Sequence, residues 1–140
     1  MTYKEYMEMH EGEQGFETRE ARTAKWDEHC KKVQDEKLQV GEGATVHYYT
    51  DSNAYTIIKR TKSSITMRRD RAILDPNFKP DFVAGGFFGT VLNQDEQEYT
   101  YEEDENGQVI TARWSRAKHG YYWNGLRVTA GRHEFYDYNF

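Results

Sequence analysis

Hydrophobic and polar positions over residues 17–39 follow a helical period, in a stretch that contains no Gly or Pro and many helix-forming residues. Thr18 or Glu17 can begin this helix, and Gly41 can end it. Its apolar positions form one narrow stripe, which consists of Trp26, Cys30 and Val33. A helix with so little apolar surface is expected on the outside of a larger body.

The residues before this helix, 1–15, form a polar, acidic N-terminal segment. We expect this segment to be poorly ordered or docked on a partner subunit. The remaining residues, 16–140, are assigned to a single domain, because a chain of 140 residues is long enough for one domain and short for two.

After Gly41 the hydrophobic period changes to two, which is typical of β-strands. The β-rich part, 43–140, contains β-rich runs at 44–51, 54–61, 64–72, 98–104 and 108–116, a shorter aromatic strand around 121–123, and a final segment at 127–140. The dipeptide Asn106-Gly107 is the strongest short hairpin signal and predicts that the runs on either side of it pair with each other. The pattern predicts a mainly β (α+β) fold, a small antiparallel sheet or partly open barrel with an N-terminal helix.

Composition and charge narrow the class of protein. Aromatic residues make up 15% of the chain, so the core must be built largely from amphipathic rings. The net charge is −5, and residues 81–105 carry −8 without any Lys or Arg, whereas residues 106–140 carry +3. Such blocks suit a local anion pocket or self-association better than a track for duplex DNA.

No apolar run approaches the ~20 residues of a membrane helix, and the N-terminus lacks the apolar centre of a signal peptide. These features predict a soluble, intracellular protein without a membrane partner. The single cysteine, Cys30, excludes an internal disulfide and a multi-cysteine zinc cluster.

Motifs for catalysis are missing from the sequence. There is no His-Glu-x-x-His, Cys-x-x-Cys or Gly-x-Ser-x-Gly pattern, and the five histidines do not cluster. We therefore predict that the protein is not an enzyme and uses no metal or cofactor. The glycines around Phe87 and Phe88 indicate either a loop that buries these rings or a loop that lays one of them over a flat ligand.

Arginines are the more informative residues, because their forked guanidinium groups bind phosphate oxygens in pairs and stack on purine rings. They recur in the β-rich part, and tyrosines and tryptophans interleave with them. The arginines are Arg60, Arg68, Arg69, Arg71, Arg113, Arg116, Arg127 and Arg132. A small β protein with this composition suits a compact nucleotide. The alternative is that surface arginines balance the acidic run at 95–105.

Three segments resemble a family of small phage proteins. They are VGEGATVHYYTDSNAYTIIKRTKSSITMRRDRA at 40–72, QEYTYEEDENGQVITARWSR at 97–116 and GLRVTAGRHEFYDYNF at 125–140, which together cover about half of the chain. The family is similar to, or overlaps, the first described group of Thoeris anti-defence proteins. The chain departs from the common pattern by a longer, Phe-rich loop at 73–95 and by its N-terminal helix.

The resemblance implies a phage-encoded protein that acts in the cytoplasm of the host bacterium. Such proteins act as nucleotide sponges for host immune evasion: they bind glycocyclic ADP-ribose, and some bind cyclic oligonucleotide signals, without cleaving them. It also implies a homo-oligomer, up to a hexamer. Arg127 is the ligand-binding position that transfers most readily, and Arg113, Asn93, Phe88, Phe87 and Arg69 complete the predicted ligand-binding set.

Two other functions are compatible with the residues. One is a small β-barrel interaction module that binds a host protein or short single-stranded nucleic acid. The other is a phosphodiesterase acting on the same signals, which lacks metal ligands and paired histidines in this sequence.

Overall fold

A computed structural model describes residues 1–83 and 90–139. In these ranges the chain forms two α-helices, α1 (Tyr3–Met9) and α2 (Arg19–Lys37). Ten strands follow, namely β1 (Gly43–His47), β2 (Ser52–Arg60), β3 (Ser64–Arg69), β4 (Arg71–Leu74), β5 (Phe82–Val83), β6 (Thr90–Val91), β7 (Tyr99–Glu102), β8 (Val109–Ser115), β9 (Gly120–Trp123) and β10 (Leu126–Ala130). Neither described helix combines the length and apolarity that crossing a membrane requires.

Six of the strands close into an antiparallel barrel in the order β1-β2-β3-β8-β9-β10, with β10 paired back to β1. The closing pair aligns Ala44 with Ala130 and His47 with Arg127. The chain thus runs up and down around the barrel and is interrupted once, by an insertion that contains β4 to β7. The predicted mainly β fold with an N-terminal helix is confirmed, and closure leaves the barrel without free edges.

The barrel interior follows the predicted period of two. Inward side chains alternate with outward ones along the barrel strands, except at a bulge between Ile57 and Lys59 in β2. The largest fully buried residues of the strands are Tyr55, Tyr121, Ile57, Ile65, Met67, Val46 and Val128. Burial raises the pKa of Tyr55 to about 12. Leu38, just after α2, is fully buried and joins the same core. Tyrosine rings therefore occupy part of the core, where aliphatic side chains are more usual in small domains.

The hairpin predicted at Asn106-Gly107 is wrong. β7 pairs with β4 in the insertion, whereas β8 pairs with β3 and β9 in the barrel. The turn therefore connects two different sheets. The run predicted at 64–72 is also divided, because Asp70 separates β3 in the barrel from β4 in the insertion. The turn itself is present, since the N–H of Gly107 donates to the carbonyl of Asp104 at 2.9 Å, but the strands on either side of it do not pair with each other.

Gly107 is required by the close approach of this turn to β3. A Cβ atom at this position would lie 2.2 Å from the carbonyl oxygen of Arg69. Gly107→Ala is therefore expected to lower the free energy of unfolding by about 1–3 kcal/mol, as measured by urea denaturation. Asn106→Ala changes the neighbouring exposed residue without placing an atom against β3. Equal stability of these two variants would contradict the explanation.

The face of α2 that packs on the barrel is polar, so the predicted apolar stripe does not mark the buried side. Val33 is 42% exposed, and the buried residue within α2 is Asp27. The residues that contact the barrel recur at helical spacing: Asp27, Lys31, Gln34 and Asp35. The barrel end that they meet presents polar groups, such as the indole N–H of Trp114 and the hydroxyl of Tyr121, and these select polar partners.

The N-terminal segment differs from the expectation of poor order. Residues 3–9 form α1, which begins with a capping box between Thr2 and Glu5. Tyr6 is buried and stacks on His29 with 4.6 Å between ring centroids, and its ring also lies 5.5 Å from that of Trp26. The short helix is therefore held on α2 of the same chain by aromatic contacts.

The C-terminal residues after β10 run across the outside of β1 and β2 and reach the insertion. Ser52 and Phe135 form a two-way backbone bridge, each N–H lying 2.9 Å from the other's carbonyl oxygen. The side chain of Asn139 bonds the backbone of Val91 in both directions. This segment therefore covers the outer side of β1 and the N-terminal part of β2.

Candidate functional site

Charge is divided between the barrel and the rest of the molecule. The six barrel strands contain no Asp or Glu, and they carry six basic residues: Lys59, Arg60, Arg68, Arg69, Arg113 and Arg127. The acidic residues lie on the helices, the connections, the insertion and the C-terminal segment. A barrel wall of this composition attracts anions wherever its cations lack carboxylate partners.

Three arginines have a carboxylate partner within 3 Å and hold the fold together. Arg69 forms a bidentate ion pair with Glu134, both N–O distances being 2.8 Å. Arg60 bonds Asp35 at 2.9 Å, and Arg132 bonds Asp70 at 2.9 Å. The structure therefore gives Arg69, one of the predicted ligand-binding residues, a structural partner at the barrel end opposite α2.

Arg113 and Arg127 come together on the outer face of the barrel, on either side of Tyr122. In the strand registers Arg113 lies opposite Tyr122, and Tyr122 lies opposite Arg127. The Nη1 atom of Arg127 donates to the Tyr122 hydroxyl at 3.2 Å. The ammonium group of Lys118, in the β8–β9 connection, lies 4.8 Å from the centre of the Tyr122 ring. We call Arg113, Lys118, Tyr122 and Arg127 the cationic face.

The cations of this face have no ion-pair partner within residues 1–83 and 90–139. The alternative in which Arg113 or Arg127 neutralises the acidic run at 95–105 therefore has no direct contact to support it in these ranges. The ion pair that this run does form joins Arg71 and Glu102 at 3.6 Å. The cationic face is thus a surface of unpaired positive charge around one aromatic ring.

A histidine next to the cationic face, His47, has a pKa that burial and nearby positive charge both lower. His47 lies beside Arg127 in the strand register, and its pKa is lowered by burial and also by His133 and Arg127. The imidazole of His47 bonds the hydroxyl of Thr129 at 2.7 Å. His47 is therefore held as a neutral, hydrogen-bonded neighbour of the cationic face over a wider range of pH than usual.

Among the other predicted ligand-binding residues that the structure describes, Asn93, like Arg69, does not join this face. The side chain of Asn93 accepts from the Asp81 N–H at 2.7 Å and donates to the Lys79 carbonyl at 2.9 Å, so its amide closes the base of the β5–β6 ribbon. Phe87 and Phe88 lie outside the described residues. Lys118 was not among the residues predicted from the sequence, because a residue in a strand connection carries no periodic signal of the surface that it joins.

A buried Asp–His pair lies where α2 meets the barrel, and its geometry indicates a structural role rather than a catalytic one. Asp27 is 8% exposed, accepts from the Trp114 indole at 3.1 Å and bonds His119 Nδ1 at 2.8 Å. In the described ranges the other ring nitrogen of His119 has no Ser, Thr or Cys partner. Those ranges also contain no group of three or more side chains arranged to hold a metal ion.

No protein-family model, no curated protein and no solved structure matches the chain.

Proposed function

We propose that this protein is a phage anti-defence protein, a nucleotide sponge that binds a cyclic nucleotide immune signal of the Thoeris type and withholds it without cleaving it. The observation that carries the proposal is the cationic face, in which three unpaired cations surround the ring of Tyr122. Guanidinium groups bind phosphate oxygens in pairs, and a tyrosine ring offers a surface on which a base stacks. Glycocyclic ADP-ribose contains both kinds of group.

The size of the face favours a small ligand over a polymer. On the outward positions of β8, β9 and β10 Tyr122 is the one aromatic side chain. Single-stranded nucleic acid is usually bound on several successive rings along a groove. An interaction module for a host protein or single-stranded nucleic acid is therefore the second candidate, supported by the same unpaired charge but not by a row of rings.

The proposal can be tested by calorimetric titration of the protein with glycocyclic ADP-ribose. Arg127→Ala removes a charge-assisted contact to phosphate and is expected to weaken binding by about 1.5–3 kcal/mol, or tenfold and more. Arg71→Ala is the matched control, because Arg71 is an exposed arginine in the insertion whose partner is Glu102. Equal affinity of the two variants would contradict the site.

The same experiment separates a sponge from an enzyme. After heat denaturation of the complex, intact nucleotide is expected in the supernatant, in an amount equal to that bound. Linear product in excess of the protein would instead identify a phosphodiesterase. A cyclic oligonucleotide titrated in parallel shows whether the face accepts more than one signal.

A homo-oligomer, up to a hexamer, is part of the proposal, with the N-terminal helix or the C-terminal segment at an interface. Several large apolar side chains on these parts are exposed, including Met9 at 62%, Val33 at 42% and Tyr136 at 55%. Light scattering at micromolar concentration is expected to give a multiple of the chain mass of 16.6 kDa. A monomer mass would contradict this part of the proposal.

A further inference from the structure

A pair of threonine hydroxyls lies on the outer surface of the barrel beside the cationic face. Thr66 on β3 and Thr111 on β8 are opposite each other in the register, and their Oγ1 atoms are 3.2 Å apart. One hydroxyl of such a pair donates its proton to the other, so the second proton remains available to an outside acceptor. Both side chains are partly exposed.

Three basic residues surround this hydroxyl pair on the same face of the sheet. Lys59 on β2 lies opposite Thr66, whereas Arg68 and Arg113 lie two positions along from Thr66 and Thr111, on β3 and β8. The spacing is about 5 Å across strands and about 7 Å for two residues along a strand. None of the three forms an ion pair within the described residues.

Arg68 supplies an independent sign that an acceptor belongs here. Its Nε atom is buried and has no hydrogen-bond partner among the residues that the structure describes. A buried donor on a charged group that lacks an acceptor is costly, and such groups are rare in folded proteins. Arg68 lies two positions from Thr66 on the same face of β3, so a rotation of its side chain would bring this donor to an anion held by the hydroxyl pair.

We propose that Thr66 and Thr111, with Lys59, Arg68 and Arg113 around them, form a second anion site that takes a tetrahedral phosphate group. Hydroxyl and guanidinium donors from two strands match the several oxygens of a phosphate. The site uses no aromatic ring and does not depend on nucleotide binding at Tyr122. Arg113 borders both sites, so a ligand with two phosphate groups has a place for each.

The test is a titration of the full-length, isotope-labelled protein with inorganic phosphate at constant ionic strength, followed by NMR. Saturable shifts are expected for the amides of Thr66 and Thr111 and for the Nε–H of Arg68. Arg68→Gln and Thr111→Val are each expected to weaken phosphate binding, Arg68→Gln by about tenfold. The control Arg71→Gln is expected to leave the phosphate affinity at this site unchanged.

The second site would be overturned if the shifts do not saturate or if chloride reproduces them. It would also be overturned if both Arg68→Gln and Thr111→Val bind phosphate with the affinity of the wild type. A parallel titration with the nucleotide then identifies the source of the phosphate. Displacement of inorganic phosphate from Thr66 and Thr111 by the nucleotide supports a phosphate of the signal at this site. If the nucleotide fails to shift Tyr122 while phosphate still saturates the threonine pair, the proposed function fails and the second site stands.

Discussion

Asp35→Ala is expected to lower the free energy of unfolding by about 3 kcal/mol, because it removes one partner of a largely buried charge network. Asp35 bonds Arg60 at 2.9 Å, Lys31 at 2.6 Å and the Tyr121 hydroxyl at 2.6 Å. The side chain of Arg60 is 14% exposed, and Tyr121 is fully buried. Without the carboxylate, Arg60 keeps its charge in the protein without an ion-pair partner.

Urea denaturation measures this loss, and Glu36→Ala is the matched control. Glu36 is the next residue of α2, is exposed and carries the same charge. Its replacement is expected to change the free energy of unfolding by no more than about 0.5 kcal/mol. A double-mutant cycle of Asp35→Ala with Tyr121→Phe then isolates the carboxylate–hydroxyl bond. Equal effects of Asp35→Ala and Glu36→Ala would show that the network does not hold α2 on the barrel.

The contribution of Asp35 also depends on pH. Burial opposes its charge, but hydrogen bonds from Lys31, Tyr121 and Arg60 outweigh burial and hold the pKa of Asp35 below the usual 3.8. As the pH falls, Asp35 takes up its proton at a higher pH in the unfolded chain than in the folded protein. The stabilisation by Asp35 is therefore complete above the unfolded-state pKa of 3.8 and is lost as the pH falls through the lower pKa of the folded state. The difference between wild type and Asp35→Ala should therefore shrink in acid.

At alkaline pH the hydroxyl of Tyr121, which bonds Asp35, also makes the stability depend on pH, but here the stability falls as the pH rises. Burial, followed by the hydrogen bond to Asp35, raises the pKa of Tyr121 well above its usual 10.0. The resulting stabilisation is complete below pH 10 and is lost as the pH rises through the folded-state pKa. Tyr121→Phe, which cannot ionise, is expected to remove this part of the alkaline loss.

Asp70→Ala is expected to cost about 3 kcal/mol of unfolding free energy, since it leaves Arg132 and Thr56 without their shared acceptor. The side chain of Asp70 is 1% exposed, and its two oxygens bond the Thr56 hydroxyl at 2.5 Å and Arg132 Nε at 2.9 Å. Arg132 Nη2 also donates to Thr56 at 2.9 Å, which closes the triangle. The triangle joins β2, the β3–β4 junction and the C-terminal segment.

Thermal or urea unfolding of Asp70→Ala beside Glu103→Ala tests this expectation. Glu103 is an exposed acid of the insertion, so its loss changes the charge of the chain equally without breaking a buried contact. If Asp70→Ala unfolds at the same denaturant concentration as Glu103→Ala, the triangle contributes nothing. If Asp70→Ala is unfolded in buffer, Asp70→Asn, which keeps one acceptor oxygen, gives the graded measurement.

Much of the local structure could be predicted from the pattern of the sequence. The run at 108–116 became β8 at Val109–Ser115, and the helix expected at 17–39 became α2 at Arg19–Lys37 with Thr18 as its N-cap. These assignments depend on hydrophobic period and cap chemistry, which act between neighbouring residues. The runs predicted at 108–116 and 127–140 contain Arg113 and Arg127, and the registers of β8, β9 and β10 bring these two residues together.

Only the tertiary structure decided which strands pair with each other and which side of α2 faces the barrel. Asn106-Gly107 predicts a hairpin between β7 and β8, but β8 pairs with β3 instead. The barrel strands enclose a common core, whereas an isolated β7–β8 pair would have no such core to stabilise it. The polar residues of α2 face inward because the barrel end offers buried hydroxyl, indole and guanidinium groups that must be satisfied. A sequence shows charges and rings, but their partners across the fold determine which arginines hold the protein together and which remain free for a ligand.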